Sequence, residues 1–323
     1  MQVHTDIDHI PAFNNAVLTI GTFDGVHLGH QKILSQLRDE AEIIDGETVI
    51  ISFDPHPRQV VHTAGAPMQM ITTINERIDL IAARGIQHLV IIPFTRAFAS
   101  LTPQEYVEKF LIEKFHPHTI IIGYDHRYGH DRKGDYALLC EYRSKGFFAI
   151  KEIPAQVVND NTVSSTLIRE AILKGDIRSA NTLLGYDFFF DGKVIPGDKR
   201  GRALGFPTAN LIVGSSEKLI PANGVYAITA ELKTAKYQQL SLTGMMNIGV
   251  RPTVDGSTRT IEAHLFGFSA DIYGETLRIR VKAFLRAEQK FSGLEELKEQ
   301  LKKDKAAAKK ALQLSSSPSP ETP

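Results

Sequence analysis

A short apolar strand that runs straight into a glycine turn and then a helix constrains this chain more than any other feature. Ala16 to Ile20 are apolar, Gly21-Thr22-Phe23-Asp24-Gly25-Val26-His27-Leu28-Gly29-His30 follow, and Ile33, Leu34, Leu37 and Ala41 then share one helical stripe. Such a junction is a ready anion site, because the first helical N–H groups and the helix dipole aim at one point. Gly21, Gly25 and Gly29 would let a phosphate approach the backbone closely. His27 and His30 lie three positions apart, so both rings can face that phosphate, a pattern suited to stabilising phosphoryl charge. The plainer reading is a loop with two solvated histidines, and the rest of the chain has to decide between them.

The first half repeats the same alternation. Apolar runs at Thr48 to Phe53, Leu89 to Phe94, Thr119 to Gly123 and Phe147 to Ile153 are separated by helical patterns at Glu76 to Arg84, Pro103 to Phe115 and Asp135 to Lys145. Mostly continuous apolar strands between helices predict a doubly wound parallel sheet covered on both faces. Gly85 and Gly146 stand where helix C-caps belong. Ligands of such sheets bind at the carboxyl ends of strands. The unusual residues cluster there: Asp54-Pro55-His56-Pro57, Phe94-Thr95-Arg96, and Tyr124-Asp125-His126-Arg127-Tyr128-Gly129. Val163-Ser164-Ser165-Thr166-Leu167-Ile168-Arg169 opens another helix. One hydroxyl there is expected to cap it, while the set with Arg169 can hold nucleotide phosphates. Helices over Asp176 to Leu184 close this half at Gly185.

From Tyr186 the apolar period becomes two, with turn signals every ten or so residues, which predicts an antiparallel barrel or sandwich. The runs are Phe188 to Ile195, Gly224 to Leu232, Leu240 to Ile248, Arg259 to Phe266 and Glu275 to Phe284, before an amphipathic helix from Phe291 to Ala311. Gly197-Asp198-Lys199-Arg200-Gly201-Arg202-Ala203-Leu204-Gly205-Phe206-Pro207-Thr208-Ala209-Asn210 reads as a basic, glycine-rich flap suited to phosphates. Thr208 and Asn210 face the same side of an extended chain, and their oxygens suit Mg²⁺. In Thr260-Ile261-Glu262-Ala263-His264-Leu265-Phe266, alternation turns Ile261, Ala263 and Leu265 to the core and Glu262 with His264 to the other face. A solvated polar face is the plain reading; beside a Mg²⁺–ATP flap, Glu262 can take the proton of an attacking alcohol. The GxxxxGK[ST] phosphate loop is absent from the sequence.

Composition sets the outer limits. The chain has 323 residues, enough for about two domains, with 42% hydrophobic and 23% charged residues and zero formal net charge. That balance gives no sign of a nucleic-acid partner. A single cysteine, Cys140, excludes an internal disulfide, and its neighbours Ala137, Leu138 and Leu139 predict a buried structural thiol. The polar Met1 to Ile10 is unlike a signal peptide, and no apolar run is long enough to span a membrane, so the expected setting is cytoplasmic with no membrane partner.

These strings resemble known ones. GTFDGVHLGH is similar to the HxGH signature of the nucleotidyltransferase superfamily, in its flavin-adenylylating branch, and Ser164 to Arg169 resembles the SSTxIR nucleotide motif. GRALGFPTAN, Asn247-Ile248-Gly249-Val250-Arg251-Pro252-Thr253 and the Glu262 strand with Asp271-Ile272-Tyr273-Gly274-Glu275 look like the riboflavin kinase module. From Ala16 to about Lys303 the chain therefore resembles the bifunctional riboflavin kinase/FAD synthetase family. The resemblance implies an α/β adenylyltransferase domain over 1–185, a riboflavin kinase β-barrel over 186–303, and a helix end with a disordered tail over 304–323. It implies riboflavin, FMN and ATP as ligands, with Mg²⁺. Glu262 would be the kinase base, Thr208 and Asn210 the metal ligands. His27 and His30 would serve adenylyl transfer, with Gly21, Phe23, Asp24, Gly29, Ser164, Ser165, Thr166, Arg169, Gly201 and Arg202 on nucleotides. Asp125, Arg127, Asn247 and Arg251 would contact flavin. His126 and Tyr128 depart from the family's phenylalanines, which predicts an altered pH dependence of FMN binding over about pH 5.5 to 8. The rival readings are an adenylyltransferase for another phosphorylated substrate, such as pantetheine phosphate, and a flavin-binding regulator with inactive sites. Self-association is left open.

Overall fold

The computed structural model describes all residues except 62–66, 124–125, 155–156, 159–160, 198–200, 202–203, 235–239, 254–255 and 316–323, with backbone alone at 157–158, 161, 251–253, 256–258 and 314–315. The expected disordered tail lies outside the described residues beyond Ser315. The chain forms two compact units, Met1–Ser165 and Thr166–Pro323.

The first unit is built on a parallel sheet of β1 (Gln2–His4), β2 (Val17–Ile20), β3 (Thr48–Asp54), β4 (His88–Pro93), β5 (Thr119–Gly123) and β6 (Ala149–Ile153), in the order β1-β4-β3-β2-β5-β6. Alternate residues feed two cores on opposite faces. Val17, Ile50, Leu89 and Ile121 pack with Leu34 and Leu37 of helix Leu28–Ile43. Leu18, Ile51, Val90 and Ile120 pack with Phe110 and Leu139 from the helical segment 103–115 and helix Tyr136–Ser144. The continuous apolar runs follow from this double covering. Cys140 packs against the second core, half-buried rather than buried.

Strand β1 has no counterpart in the sequence expectation, because three mostly exposed residues carry no apolar run. It is held by its ladder to β4 and by His4, whose Nε2 lies 3.2 Å from His88 Nδ1. Strands β3 and β4 run to one side of β2, and β5 and β6 to the other. Parallel sheets bind ligands in the crevice where the order reverses, here outside the ends of β2 and β5.

A two-stranded pair, β7 (Val157–Val158) and β8 (Asn161–Thr162), precedes the second unit. Helix Ser165–Leu173 leads into that unit, helix Ile177–Leu184 follows, and both seat on the barrel. Ala222 N–H donates to the Ile172 carbonyl, and Asn181 donates to the Val281 carbonyl while accepting from Phe188 N–H at 2.8 Å. By packing, these helices therefore belong with the barrel, upstream of the 185/186 boundary expected from the sequence.

The alternation after Tyr186 resolves into a closed barrel rather than a sandwich. Its strands are β9 (Phe189–Ile195), β10 (Ala209–Val213), β11 (Gly224–Leu232), β12 (Ser241–Thr253), β13 (Gly256–Leu265) and β14 (Thr276–Arg286), ordered β10-β13-β12-β11-β14-β9. Register puts Phe190, Tyr226, Ile228, Met246, Ile248, Ala263, Ile279 and Val281 on one buried face, the barrel interior. Strand β10 was legible only as part of the flap, since Ala209 and Asn210 break the apolar pattern.

Helix Leu294–Ser315 covers part of the outer face, where Ala308 packs with Phe206, Ala227 and Met245. Residues 304–315 are thus part of the packed helix. Asp304 is only 3% exposed. It takes a bidentate ion pair from Arg286, at 2.8 and 2.7 Å, and a bond from Gln300 at 2.8 Å. Asp304→Ala would remove both charge-assisted bonds and leave a half-buried guanidinium uncompensated, costing about 3 kcal/mol. Urea unfolding followed by circular dichroism checks this, with the loss falling on the transition of the second unit.

Candidate active sites of the two units

The turn after β2 is held by its own acid. Asp24 is 0% exposed, and its carboxylate accepts from Ile71 N–H at 3.2 Å, Thr72 N–H at 3.0 Å and the Thr72 hydroxyl at 3.2 Å. Gly25, at φ 81°, donates to the Thr72 hydroxyl at 3.0 Å. Ser165 donates to the Asp24 carbonyl at 2.9 Å, which brings that serine to the turn. Asp24 and Phe23 were expected among nucleotide-contacting groups, but both side chains belong to the interior.

His27 is the N-cap of helix Leu28–Ile43, its Nδ1 accepting from His30 N–H at 3.3 Å. That bond leaves the ring proton on Nε2. The two rings stack with centroids 3.6 Å apart, and Phe23 tilts against His30. A Cβ at Gly29 would stand 3.2 Å from the His27 ring, so the absence of a side chain there also leaves room for that ring. Gly21 likewise faces the Phe23 ring, at 3.1 Å. Burial pushes His27 down to about 4, against the Asp24 carboxylate, which works to raise it. Burial, then His27 and Arg77, hold His30 well below the ordinary histidine value. Both rings are neutral hydrogen-bonding groups at neutral pH.

Arg77 was not singled out from the sequence. It is 2% exposed and donates to the Ser52 hydroxyl and the Phe53 carbonyl, each at 3.1 Å, while Ser52 donates to the Thr22 carbonyl at 3.3 Å. A cation thus backs the turn from behind. The available signal was its place among Ile74, Ile78 and Ile81 on the apolar stripe of helix Ile74–Ala82.

Ser164 and Ser165 belong to the same unit as this turn; Thr166 and Arg169 continue in helix Ser165–Leu173 of the second unit. Asp125 lies outside the described residues. Arg127 is exposed and pairs with Asp135, the N-cap of helix Tyr136–Ser144, at 3.0 Å. His126 stacks on Tyr128, and Tyr128 on Tyr106. Burial, then Arg132, push His126 down to about 4, so it stays neutral over the range in which an altered pH dependence was expected.

In the second unit, β13 carries the row that alternation predicted. Glu262 pairs with Asn210 of β10 on one side and Asn247 of β12 on the other, so three polar side chains adjoin on the outer face. Thr208 precedes β10, and Gly201 accepts from Phe206 N–H at 2.8 Å and Leu204 N–H at 3.2 Å, which ties off the flap. A Cβ at Gly197 would overlap the Asn210 amide, so that amide sits in a cradle only glycine leaves open. Among the described residues no group of three or more His, Cys, Asp or Glu could hold a metal. A hydroxyl and an amide oxygen beside one carboxylate fit Mg²⁺, which takes most ligands from phosphates and water. His264 is buried rather than sharing a solvated face with Glu262. Arg202 lies outside the described residues, as does the side chain of Arg251.

A switch-point anion site in a parallel α/β unit, with a separate barrel bearing a polar row beside a glycine flap, defines a two-module phosphate-transferring enzyme. The FAD synthetase family matches residues 9–167 and the riboflavin kinase family residues 184–312. Bifunctional riboflavin kinase/FMN adenylyltransferases are 36% identical in Listeria monocytogenes, over 90% of both chains, and 36% in Bacillus subtilis, over 91% of both. That of Escherichia coli is 34% identical over 91% of both. A solved structure described as a macrolide-efflux protein from Streptococcus pneumoniae matches 95% of this chain and 98% of its own, at 29% identity and TM-score 0.84. The chain belongs to the bifunctional riboflavin kinase/FMN adenylyltransferase family. It phosphorylates riboflavin to FMN and adenylylates FMN to FAD, with ATP as co-substrate. Among the described residues no helix is long and apolar enough to cross a membrane.

Two pH predictions follow from the buried histidines. The unfolded chain accepts a proton on His27 near pH 6.5, whereas the folded chain refuses it until about pH 4. The resulting stability is complete above the unfolded value and declines as pH falls toward the folded one, by up to about 3 kcal/mol. His27→Asn, which keeps a capping acceptor, should flatten that part of the slope in denaturant titrations at successive pH values. For His126→Phe, the ratio of its FMN affinity to that of the wild type should stay constant from about pH 5.5 to 8, because a neutral ring does not titrate there. Fluorescence titration measures that ratio.

Proposed function

We propose that the two reactions are divided between the two polar sites at the level of these residues. The observation that supports the kinase assignment best is the Asn210–Glu262–Asn247 row beside the tied flap. In this reading Glu262 accepts the proton of the terminal ribityl hydroxyl while that oxygen bonds to the γ-phosphorus of ATP and ADP leaves. Thr208 and Asn210 hold Mg²⁺, which screens the phosphate charge when bound. Asn247 and Arg251 orient the flavin, and Gly201 with Arg202 close over the nucleotide.

At the other site an FMN phosphate oxygen bonds to the α-phosphorus of a second ATP and pyrophosphate leaves. His27 presents its Nε2 proton as a neutral donor, and His30 completes the stacked pair. Neutral donors suffice because the attacking phosphate is already ionised and needs no base. Gly21 and Gly29 shape the turn, and Phe23 and Asp24 act from behind it by fixing its backbone. Ser164, Ser165, Thr166 and Arg169 hold the leaving pyrophosphate, and Asp125 and Arg127 contact FMN. The functional boundary lies at 185/186, a reading supported by family matches that end at 167 and resume at 184. A lone cysteine and ATP-dependent chemistry fit a cytoplasmic setting.

Glu262→Gln should lower FMN formation by about 10²- to 10⁴-fold while FAD formation from supplied FMN stays within about twofold of wild type. His30→Ala should do the reverse. Chromatographic separation of the flavins after incubation with ATP and Mg²⁺ reads both. A folded Glu262→Gln protein that loses both activities would contradict the division.

A further inference from the structure

Strand β13 bears a second polar side chain on the face of Glu262. His264 is 6% exposed, and its Nδ1 lies 2.7 Å from the carbonyl oxygen of Pro207. A carbonyl only accepts, so Nδ1 carries the proton and donates. The other nitrogen, Nε2, is buried with no hydrogen-bond partner among the described residues. It faces an apolar setting: Phe206 and Phe266 meet the ring edge-on at 5.3 and 5.6 Å. Burial lowers the histidine pKa further, with Lys305 of the C-terminal helix acting the same way and the Pro207 carbonyl opposing. A single neutral tautomer results.

The position of that bond matters. The ladder between β10 and β13 pairs Asn210 with Glu262 and Ala209 with Ala263, and it ends there. The next rungs would set Thr208 opposite His264 and Pro207 opposite Leu265. Proline has no N–H to continue a ladder. The imidazole takes its place and ties the Pro207 carbonyl to the strand of Glu262. Thr208 is thereby fixed from both sides, by the clamped Pro207 before it and the paired Ala209 after it.

We propose that His264 is a positioning residue for the kinase reaction: by clamping Pro207 it sets the Thr208 hydroxyl and the Asn210 amide against Glu262 for metal-bound nucleotide. This rests on the reading that Thr208 and Asn210 hold the metal. His264 touches neither substrate nor metal, and its role is carried by one N–H at the Nδ1 position.

Asparagine places an amide N–H close to where Nδ1 stands, whereas glutamine places it near Nε2, so the pair of substitutions separates the donor from side-chain bulk. Riboflavin phosphorylation would be measured against ATP and Mg²⁺ concentration for His264→Asn, His264→Gln and His264→Ala. Backbone amide exchange would be followed by mass spectrometry in peptides covering 204–210, with and without Mg²⁺ and ADP. Loss of one buried hydrogen bond should raise the KM for ATP and the half-saturating Mg²⁺ by about tenfold in His264→Gln and His264→Ala, with a smaller change in kcat. Both should speed exchange at 204–210. His264→Asn should remain within about twofold of wild type in each readout, and FAD formation from FMN should be unchanged in all three. Wild-type KM and exchange in the Gln and Ala variants would overturn the proposal. So would an Asn variant as impaired as Ala, or unfolding of all three, either of which would make His264 a packing residue. Thr208→Ala keeps the two failures apart: if it leaves ATP and Mg²⁺ dependence intact, the metal assignment fails whatever His264 does.

Discussion

The first unit depends on burying one carboxylate in a turn that has to present two histidines. Asp24 is fully buried, and its carboxylate accepts three hydrogen bonds from residues 71 and 72, far along the chain. A buried carboxylate is tolerated only when paired or fully hydrogen-bonded. The turn and the 71–72 segment therefore form together or not at all. With the backbone held, Phe23 and Val26 adopt positive φ angles of 49° and 37°, unusual for their types. The helix then starts at the point where the His27 and His30 rings stack. Arg77 closes the arrangement from beneath, so the turn rests on a buried anion and a buried cation while its histidines stay neutral.

Neutral, buried histidine recurs in the second unit with a different task. His27 accepts at Nδ1 from the His30 N–H, which leaves its proton on Nε2, whereas His264 donates its Nδ1 proton to the Pro207 carbonyl. In both, burial favours the neutral ring, and one nearby bond decides which nitrogen carries the proton. The same residue type thus caps a helix start at one site and holds the backbone ahead of β10 at the other. Glu262 stands between two asparagines on adjacent strands because antiparallel register brings positions 210, 262 and 247 into one row. The closed barrel makes that row rigid, since no edge strand among the three is left to slip.

Much of this was legible in the chain. The continuous runs at Thr48 to Phe53 and Thr119 to Gly123 read as strands because both faces of the sheet are covered. Asp135, Asp176 and Gly185 read as helix ends because capping is local chemistry. Strand β1 was not legible, because it is held by long-range pairing with His88 rather than by its own pattern. Strand β10 was hidden because Ala209 and Asn210 interrupt its apolar pattern. Arg77 was not singled out, because its place on an apolar stripe does not show the partners on β3 that hold it. His126 read as a titrating group because an unperturbed histidine titrates near neutrality; its surroundings, not its identity, take that away.

By itself the sequence determined the two modules, their order and the pair of reactions they carry out. Periodicity, capping and the two long glycine motifs are all properties of neighbours along the chain. The tertiary structure decided what depends on distant neighbours: closure of the barrel, the interior positions of Phe23 and Asp24, and the neutral state of His27, His30, His126 and His264. Burial is a property of the whole fold and keeps these rings neutral, while the backbone group brought to each ring sets which nitrogen of His27 and His264 holds the proton.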